Sequence, residues 1–172
     1  MHNDCAQPVA RPGELAALKQ AFEQACEVVH RSHMAGLPIV NPALRVALVG
    51  LRAHDALAFG VLVTPWCMNL VALPRGAALP AARVGSVHQL SLPGGRVELR
   101  LSELPGFGRH LSGSLFSPMA AFTSQAHALA AAREALALLE TVAPAPADTV
   151  PPGTNLPATA SRRGFLLGRT VG

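Results

Sequence analysis

Tyrosine is absent from this 172-residue chain, tryptophan occurs once, and all aromatic residues together make up 4%. A stacking platform for single-stranded nucleic acid is therefore poorly supported. Charged residues are also few, at 14%, while half the chain is apolar, which argues against wholesale disorder. No apolar run approaches the roughly 18 residues that a membrane-spanning helix needs, so an integral membrane protein is not expected. The first eleven residues lack a basic stretch followed by an apolar core, so no secretory signal is read there and a cytoplasmic location is expected. Cys5, Cys26 and Cys67 are odd in number, far apart and in no CxxC arrangement. That spacing argues against a disulfide framework and a zinc knuckle, and leaves reduced thiols as the default.

The net charge of +4 does not describe a basic face. Arg162, Arg163 and Arg169 supply three of the fourteen cations, and residues 1–160 hold the other eleven against all ten acids, leaving +1. No nucleic-acid partner is expected from so balanced a body. The excess of charge belongs to a tail.

What is present reads as one α+β domain. From Gly13 to about Met34, Leu15, Leu18, Phe22, Cys26 and Val29 recur at helical spacing, with Glu14 in the first turn and His30, Arg31 and His33 in the last. Gly36 and Pro38 form a stop signal. Five β-rich runs follow: 44–51, 56–64, 68–73, 87–92 and 97–102, separated by glycine and proline. The run 57–63 is almost continuously apolar and should be central. Leu90 to Leu101 alternates on both sides of a Pro-Gly-Gly turn, as a half-buried hairpin does. Ser117-Pro118 offers an N-cap and an N1 proline ahead of a second helix from Gln125 to Val142. The expected fold is an antiparallel β-sheet packed against an N-terminal and a C-terminal helix. The expected boundaries are a flexible N-terminus (1–12), the domain (13–142), a linker with five prolines (143–160) and a basic, apolar tail peptide (161–172).

Catalytic groups do not assemble in this pattern. Gly106-Phe107-Gly108 lacks the third glycine of a nucleotide-binding loop and reads as a turn. His30 and His33 have metal-ligand spacing without a third ligand, so helix-end histidines are the simpler account and no metal or other cofactor is expected. Ser112, Ser114 and Ser117 with His110 as base would make a hydrolase, but alternate serines usually line the polar face of a β segment. Cys67, between two strand candidates, reads as a buried structural thiol before a reactive one. A binding protein, not an enzyme, is the expectation. Its surface is sought at two apolar junctions. Pro65, Trp66, Cys67, Met68 and Asn69 make one, and Leu115, Phe116, Pro118 and Met119 the other.

Three segments carry a resemblance: Asn41-Pro42-Ala43-Leu44, the stretch from Gly60 to Val71 around Thr64-Pro65-Trp66-Cys67-Met68-Asn69, and Ser114-Leu115-Phe116-Ser117-Pro118-Met119. In this order and spacing they resemble the HybE family of nickel-iron hydrogenase assembly chaperones, which includes the HupJ and HoxT proteins. The likeness runs from about residue 13 onward and extends to the arginine-rich ending. One departure is Gly113, where many relatives carry cysteine, so no thiol-dependent role is implied at that position. The resemblance implies a chaperone for the hydrogenase small subunit, the iron-sulfur subunit exported with a twin-arginine signal peptide. It would bind that precursor, screen its signal until cofactors are installed, and release it for assembly, in company with other hydrogenase accessory proteins. Some relatives stand beside or are fused to a rubredoxin, but this chain has no rubredoxin-type cysteine pairs. An alternative within the same setting is a factor that protects the small subunit or its clusters in air, acting through Cys67.

A twin-arginine signal joins two arginines to an apolar stretch, so its receptor needs an apolar trough and a few acceptors. Residues 64–69 and 115–119 are the candidate trough, and Glu98 and Glu103 the candidate partners for the arginines. The tail, with Arg162, Arg163 and Phe165, itself reads like the twin-arginine motif with only five residues after Leu167 and no cleavage site. Two readings of it stand open. It mimics the client and fills the same groove in cis, at an effective concentration on the order of millimolar, or it is a basic tail that touches the client or an anionic surface directly.

Overall fold

A computed structural model describes residues 11, 13–76, 79 and 81–141. The expected linker, the tail with Arg162, Arg163 and Phe165, and Cys5 lie outside the described residues. The chain opens with α1 (Glu14–Val29), which continues into a π-helical turn (His30–Met34). Six strands follow: β1 (Ala47–His54), β2 (Leu57–Val63), β3 (Met68–Pro74), β4 (Val87–Leu92), β5 (Gly95–Leu104) and β6 (Gly108–Phe116). Helix α2 (Gln125–Glu140) closes the domain. The strands form one antiparallel sheet in the order β1-β2-β3-β6-β5-β4. Two three-stranded meanders thus join at a single seam, β3 against β6.

Side-chain alternation sends each strand to two cores. Phe59, Val61 and Val63 of β2, Met68 and Leu70 of β3, and Leu99 and Leu101 of β5 pack under Ala128, Ala132 and Leu136 of α2. Leu48, Leu62, Val71 and Leu73 face the other way, onto Phe22 and Cys26 of α1. The helices therefore lie on opposite faces of the sheet. This explains the continuous apolar run of β2, which is an interior strand buried on both sides. The expected hairpin is β4–β5, in register from Val87 opposite Arg100 to Leu92 opposite Gly95.

Three expectations need correction. The five runs omitted β6, the strand that holds the seam, because Gly108 to Phe116 mixes glycine and serine with apolar residues and shows no clean period. Ser117-Pro118 does not open α2. It is a cis peptide in the loop ahead of the helix, and the cap is Ser124, whose hydroxyl accepts from the His127 amide at 3.2 Å. The intervening residues bury Met119 and Phe122, so the helix starts only once those anchors are placed. The first helix, expected to reach Met34, is regular only to Val29, and His30 to Met34 widen into the π turn.

Helix α1 is fixed at its start by Glu14. Its carboxylate accepts from Arg75 Nε at 3.1 Å and Nη2 at 3.3 Å, and from the Arg11 amide at 3.1 Å. The Arg75 guanidinium and then the Arg11 amide hold this carboxyl below the usual range. The far end of α2 is fixed by the β4–β5 turn, where the Gly94 amide donates to Leu139 O at 2.8 Å. A Cβ at Gly94 would sit 2.4 Å from Leu138 O and 2.7 Å from Leu139 O, both rigid backbone atoms. Gly94→Ala should accordingly cost about 1–3 kcal/mol by forcing the hairpin off the helix. Urea denaturation of the variant beside wild type measures this, and an unchanged midpoint would show that the contact is not rigid.

Candidate functional site

The resembling segments converge on one end of the sheet through a small set of hydrogen bonds. Thr64-Pro65-Trp66-Cys67 is the tight turn between β2 and β3: Thr64 N donates to Cys67 O at 2.9 Å, and Thr64 Oγ1 accepts from Cys67 N at 2.9 Å. Asn41 ties this turn to the loop after β6. Its amide donates to Pro65 O at 2.8 Å, while its side-chain Nδ2 donates to Met119 O at 3.0 Å and Phe122 O at 2.8 Å. Its Oδ1 accepts from Ala43 N at 3.0 Å, shaping the segment that carries it. One residue therefore joins segments 24 and some 80 residues away, the first through its backbone amide and the second through its side chain.

The α1 side of this knot holds a cleft of about 250 Å³, lined by Phe22, Cys26, Val29, Trp66, Asn69 and His110 among others. Trp66 is half-buried, with its ring centroid 5.6 Å from that of His30 in the π turn. Asn69 donates through Nδ2 to Ser112 Oγ at 3.2 Å, and its Oδ1 is buried with no hydrogen-bond partner among the described residues. His110 is buried, stacked edge-on to Phe22 at 5.1 Å, and burial lowers its pKa from 6.5 although the Gly108 carbonyl opposes the shift. Burial also raises both thiols. Cys26 is pushed up to about 12, and Cys67 is raised by burial against the hydrogen bond from Thr64. These are poor nucleophiles at neutral pH.

A second hollow, about 450 Å³ and without a charged residue in its lining, lies against the same knot between segments 38–43 and 120–123. Ile39 is 44% exposed at its edge and Leu37 45% exposed nearby in sequence. The register slip between Met68 and Asn69 makes β6 bulge, so Leu115 packs into the α2-side core and Phe116 also turns to that side. Phe116 remains 47% exposed and meets Phe122 of the hollow edge-on at 5.4 Å.

Thus the expected site residues divide. Met68 and Met119 are fully buried and Pro65 is buried, so these three support the knot from within. Trp66, Cys67 and Asn69 line the α1-side cleft, whereas Phe116 and Pro118 are exposed at the loop that follows β6. Of the two glutamates, Glu98 lines a groove next to the cleft. Glu103 borders the cleft, but strand alternation turns its side chain to the other face, with Leu101. Sequence reasoning gave no weight to Asn41 as a site residue or to Leu37 and Ile39 as surface. The one available signal was an apolar segment flanked by Gly36 and prolines, where a loop exposes what a helix would bury. Among the described residues no three His, Cys, Asp or Glu side chains gather where a metal could be held. Ser112 is bonded to Asn69, and His110 Nδ1 lies 3.4 Å from Gly108 O, so among the described residues the two are not joined as nucleophile and base.

The architecture is thus an antiparallel sheet with a helix on each face, knotted at one end beside two clefts. The model of the family described as NiFe-hydrogenase assembly chaperone HybE matches residues 16–168. The chain belongs to that family. It is 52% identical over 110 residues to the hydrogenase expression/formation protein HoxT of Azotobacter vinelandii, covering 63% of this chain and 71% of that one. It is 42% identical over 137 residues to the hydrogenase expression/formation protein HupJ of Bradyrhizobium diazoefficiens, covering 78% of each. The solution structure of HybE from Escherichia coli superposes with a TM-score of 0.59 at 23% identity, over 84% of this chain and 90% of that one, which establishes the shared fold. No helix among the described residues is long and apolar enough to cross a membrane.

Two outcomes follow from this geometry. Asn41→Ala leaves Phe122 O without its donor, while Met119 O keeps the Phe122 N–H at 3.1 Å, and should cost about 1–3 kcal/mol, read as a lowered denaturation midpoint. A cost below about 0.5 kcal/mol would mean that water replaces the amide. The lowered pKa of His110 means that the folded chain favours the neutral ring, while the unfolded chain takes up a proton near pH 6.5. Stability should fall as pH drops below about 6.5, and His110→Gln should remove up to about 1.4 kcal/mol per pH unit of that slope in denaturation series from pH 7.5 to 5.

Proposed function

We propose that this chain is a cytoplasmic accessory chaperone that binds the precursor of the hydrogenase small, iron-sulfur subunit and coordinates cofactor assembly with twin-arginine export. Family membership supplies the hydrogenase setting, and the observation that carries the finer reading is the knot. Asn41 holds the family's three segments together at one end of the sheet, where two clefts present Trp66 and Phe116 to a partner. The uncharged hollow beside Phe116 suits the apolar stretch of a signal peptide. Trp66, Cys67 and Asn69 suit the residues that flank it. Pro65, Met68, Leu115 and Met119 hold these surfaces in shape, and Pro118 continues the Phe116 edge. Arg162, Arg163 and Phe165 lie outside the described residues and enter the proposal as further client contacts. The protein acts by binding and release, without catalysis and without a cofactor of its own.

A second reading, protection of the small subunit or its clusters through Cys67, draws on the fact that Cys26 and Cys67 line one cleft. The raised pKa of both thiols weighs against it. Cys67→Ser separates the two. It should spare hydrogenase maturation in air and without it, whereas loss of aerobic maturation alone would favour protection.

Tagged protein should capture the full small-subunit precursor from cells that express a nickel-iron hydrogenase operon, and should capture it poorly once the signal peptide is removed. Equal capture of both forms would place recognition on the body of the subunit. Phe116→Ser should weaken capture by about tenfold or more while leaving the denaturation midpoint close to wild type, because the ring is half exposed.

A further inference from the structure

Helix α1 covers only part of its face of the sheet. Beyond β6 the same face carries Ser102, Arg100 and Glu98 on β5 and Val87 and Gln89 on β4, with no helix above them among the described residues. A groove of about 330 Å³ runs over these strands beside Val87, Glu98, Arg100 and Ser114. It meets the α1-side cleft at Ser112, which lines both. The two hollows form one trough from Trp66 to the β4 edge.

The trough mixes donors and acceptors, with Arg100, Ser112 and Ser114 beside Glu98, and two of its acceptors are unused among the described residues. The Glu98 carboxylate is exposed and has no ion pair or hydrogen bond among the described residues. The neighbouring cation, Arg100, is turned away and donates to Gly85 O at 3.2 Å. Asn69 Oδ1 is the buried side-chain acceptor left without a partner. Glu98 and Asn69 stand two strand spacings apart, roughly 10 Å, a span that an extended peptide covers in about three residues. The apolar walls at Val29 and Trp66 lie at the Asn69 end.

We infer that this trough seats an extended segment of the client polypeptide, with an arginine guanidinium on Glu98 and an apolar side chain about three residues further on in the Trp66–Val29 cleft. A donor of the same segment satisfies Asn69 Oδ1. The inference rests on the proposed function, that the client presents a twin-arginine signal, and assigns which atoms read it. A guanidinium suits this place because Glu98 offers two oxygens that no resident cation uses, and the aromatic face of Trp66 suits the apolar residue.

Trp66 is the chain's single tryptophan, so its emission reports on the cleft directly. The full chain is titrated with a blocked peptide Ser-Arg-Arg-Gly-Phe-Leu-Leu, with the counterpart in which both arginines are glutamine, and with the counterpart in which phenylalanine is serine. The arginine peptide should shift the emission to the blue and saturate, and each altered peptide should bind about tenfold more weakly or worse. Glu98→Gln, at an exposed position, should erase the preference for arginine and most of the salt dependence. Equal binding of the arginine and glutamine peptides, or an unchanged preference in Glu98→Gln, overturns the assignment. So does binding that appears only in Arg162→Ala/Arg163→Ala, because the trough would then be filled in cis by the chain's own tail. Capture of the precursor by wild type keeps this test separate from that of the proposed function. If wild type captures the precursor and Glu98→Gln does so equally well, the chaperone reading stands and the seat falls; if wild type captures none, the chaperone reading falls whatever the peptides do.

Discussion

The five hydrogen bonds of Asn41, three through its side chain and two through its backbone, are the constraint on which the rest of this molecule depends. A side-chain amide has two donors and an acceptor on one rigid plane, and here all are used together with the backbone N–H. No shorter or apolar side chain can bridge two carbonyls and a turn at once. The turn at Pro65, the loop at Met119 and Phe122, and the segment around Asn41 itself are irregular backbone, the kind of chain that gains least from strand or helix ladders. Bringing three such pieces together satisfies their polar groups in one place. The surface they carry is thereby made as well defined as the sheet that supports it.

Around that knot the two faces of the sheet differ in kind. The α2 face is filled by alanines of the helix against branched and aromatic strand residues, and its exposed rim at Phe116 is apolar and uncharged. The α1 face is filled only as far as β6, and its open remainder is polar, with neutral buried groups at His110, Cys26 and Cys67 on the border. Under the proposed function, an apolar client segment and a polar or basic one would find different hosts within one end of a small domain. Raised thiol pKa values and a ring kept neutral by burial make the border chemically quiet. That quietness suits a protein whose work is to hold a client.

The fold was legible where local pattern and tertiary role agree. The β4–β5 hairpin announces itself by alternation around Pro93-Gly94-Gly95, and α1 by its apolar stripe, because each buries one face. Strand β6 was hidden because its bulge and its small residues answer to neighbours on β3 and β5, and Gly113 is shaped by Leu99 across the seam. Ser117-Pro118 carried strong helix-start chemistry that the buried anchors Met119 and Phe122 override. At the candidate site, the junction positions expected to present surface leave Trp66 half-buried and Phe116 exposed. The role of Asn41 could not be read from the sequence, since its carbonyl partners are 78 and 81 residues away and leave no mark on its local sequence beyond the proline that follows.

The strand order has a kinetic side. Each meander is built from neighbours in sequence, so β1-β2-β3 and β4-β5-β6 pair over short loops, whereas the β3–β6 seam joins residues 39 to 48 apart and α2 returns from the end of the domain to lie over β1 and β2. Loop-closure entropy favours the local pairings first and leaves the seam and α2 to the end. As the chain leaves the ribosome, its first meander stands with one face bare until residues near 140 emerge. The Asn41 knot needs Met119 and Phe122, so it closes only after the seam strand β6 has emerged, and any shorter chain carries that end of the sheet unfastened.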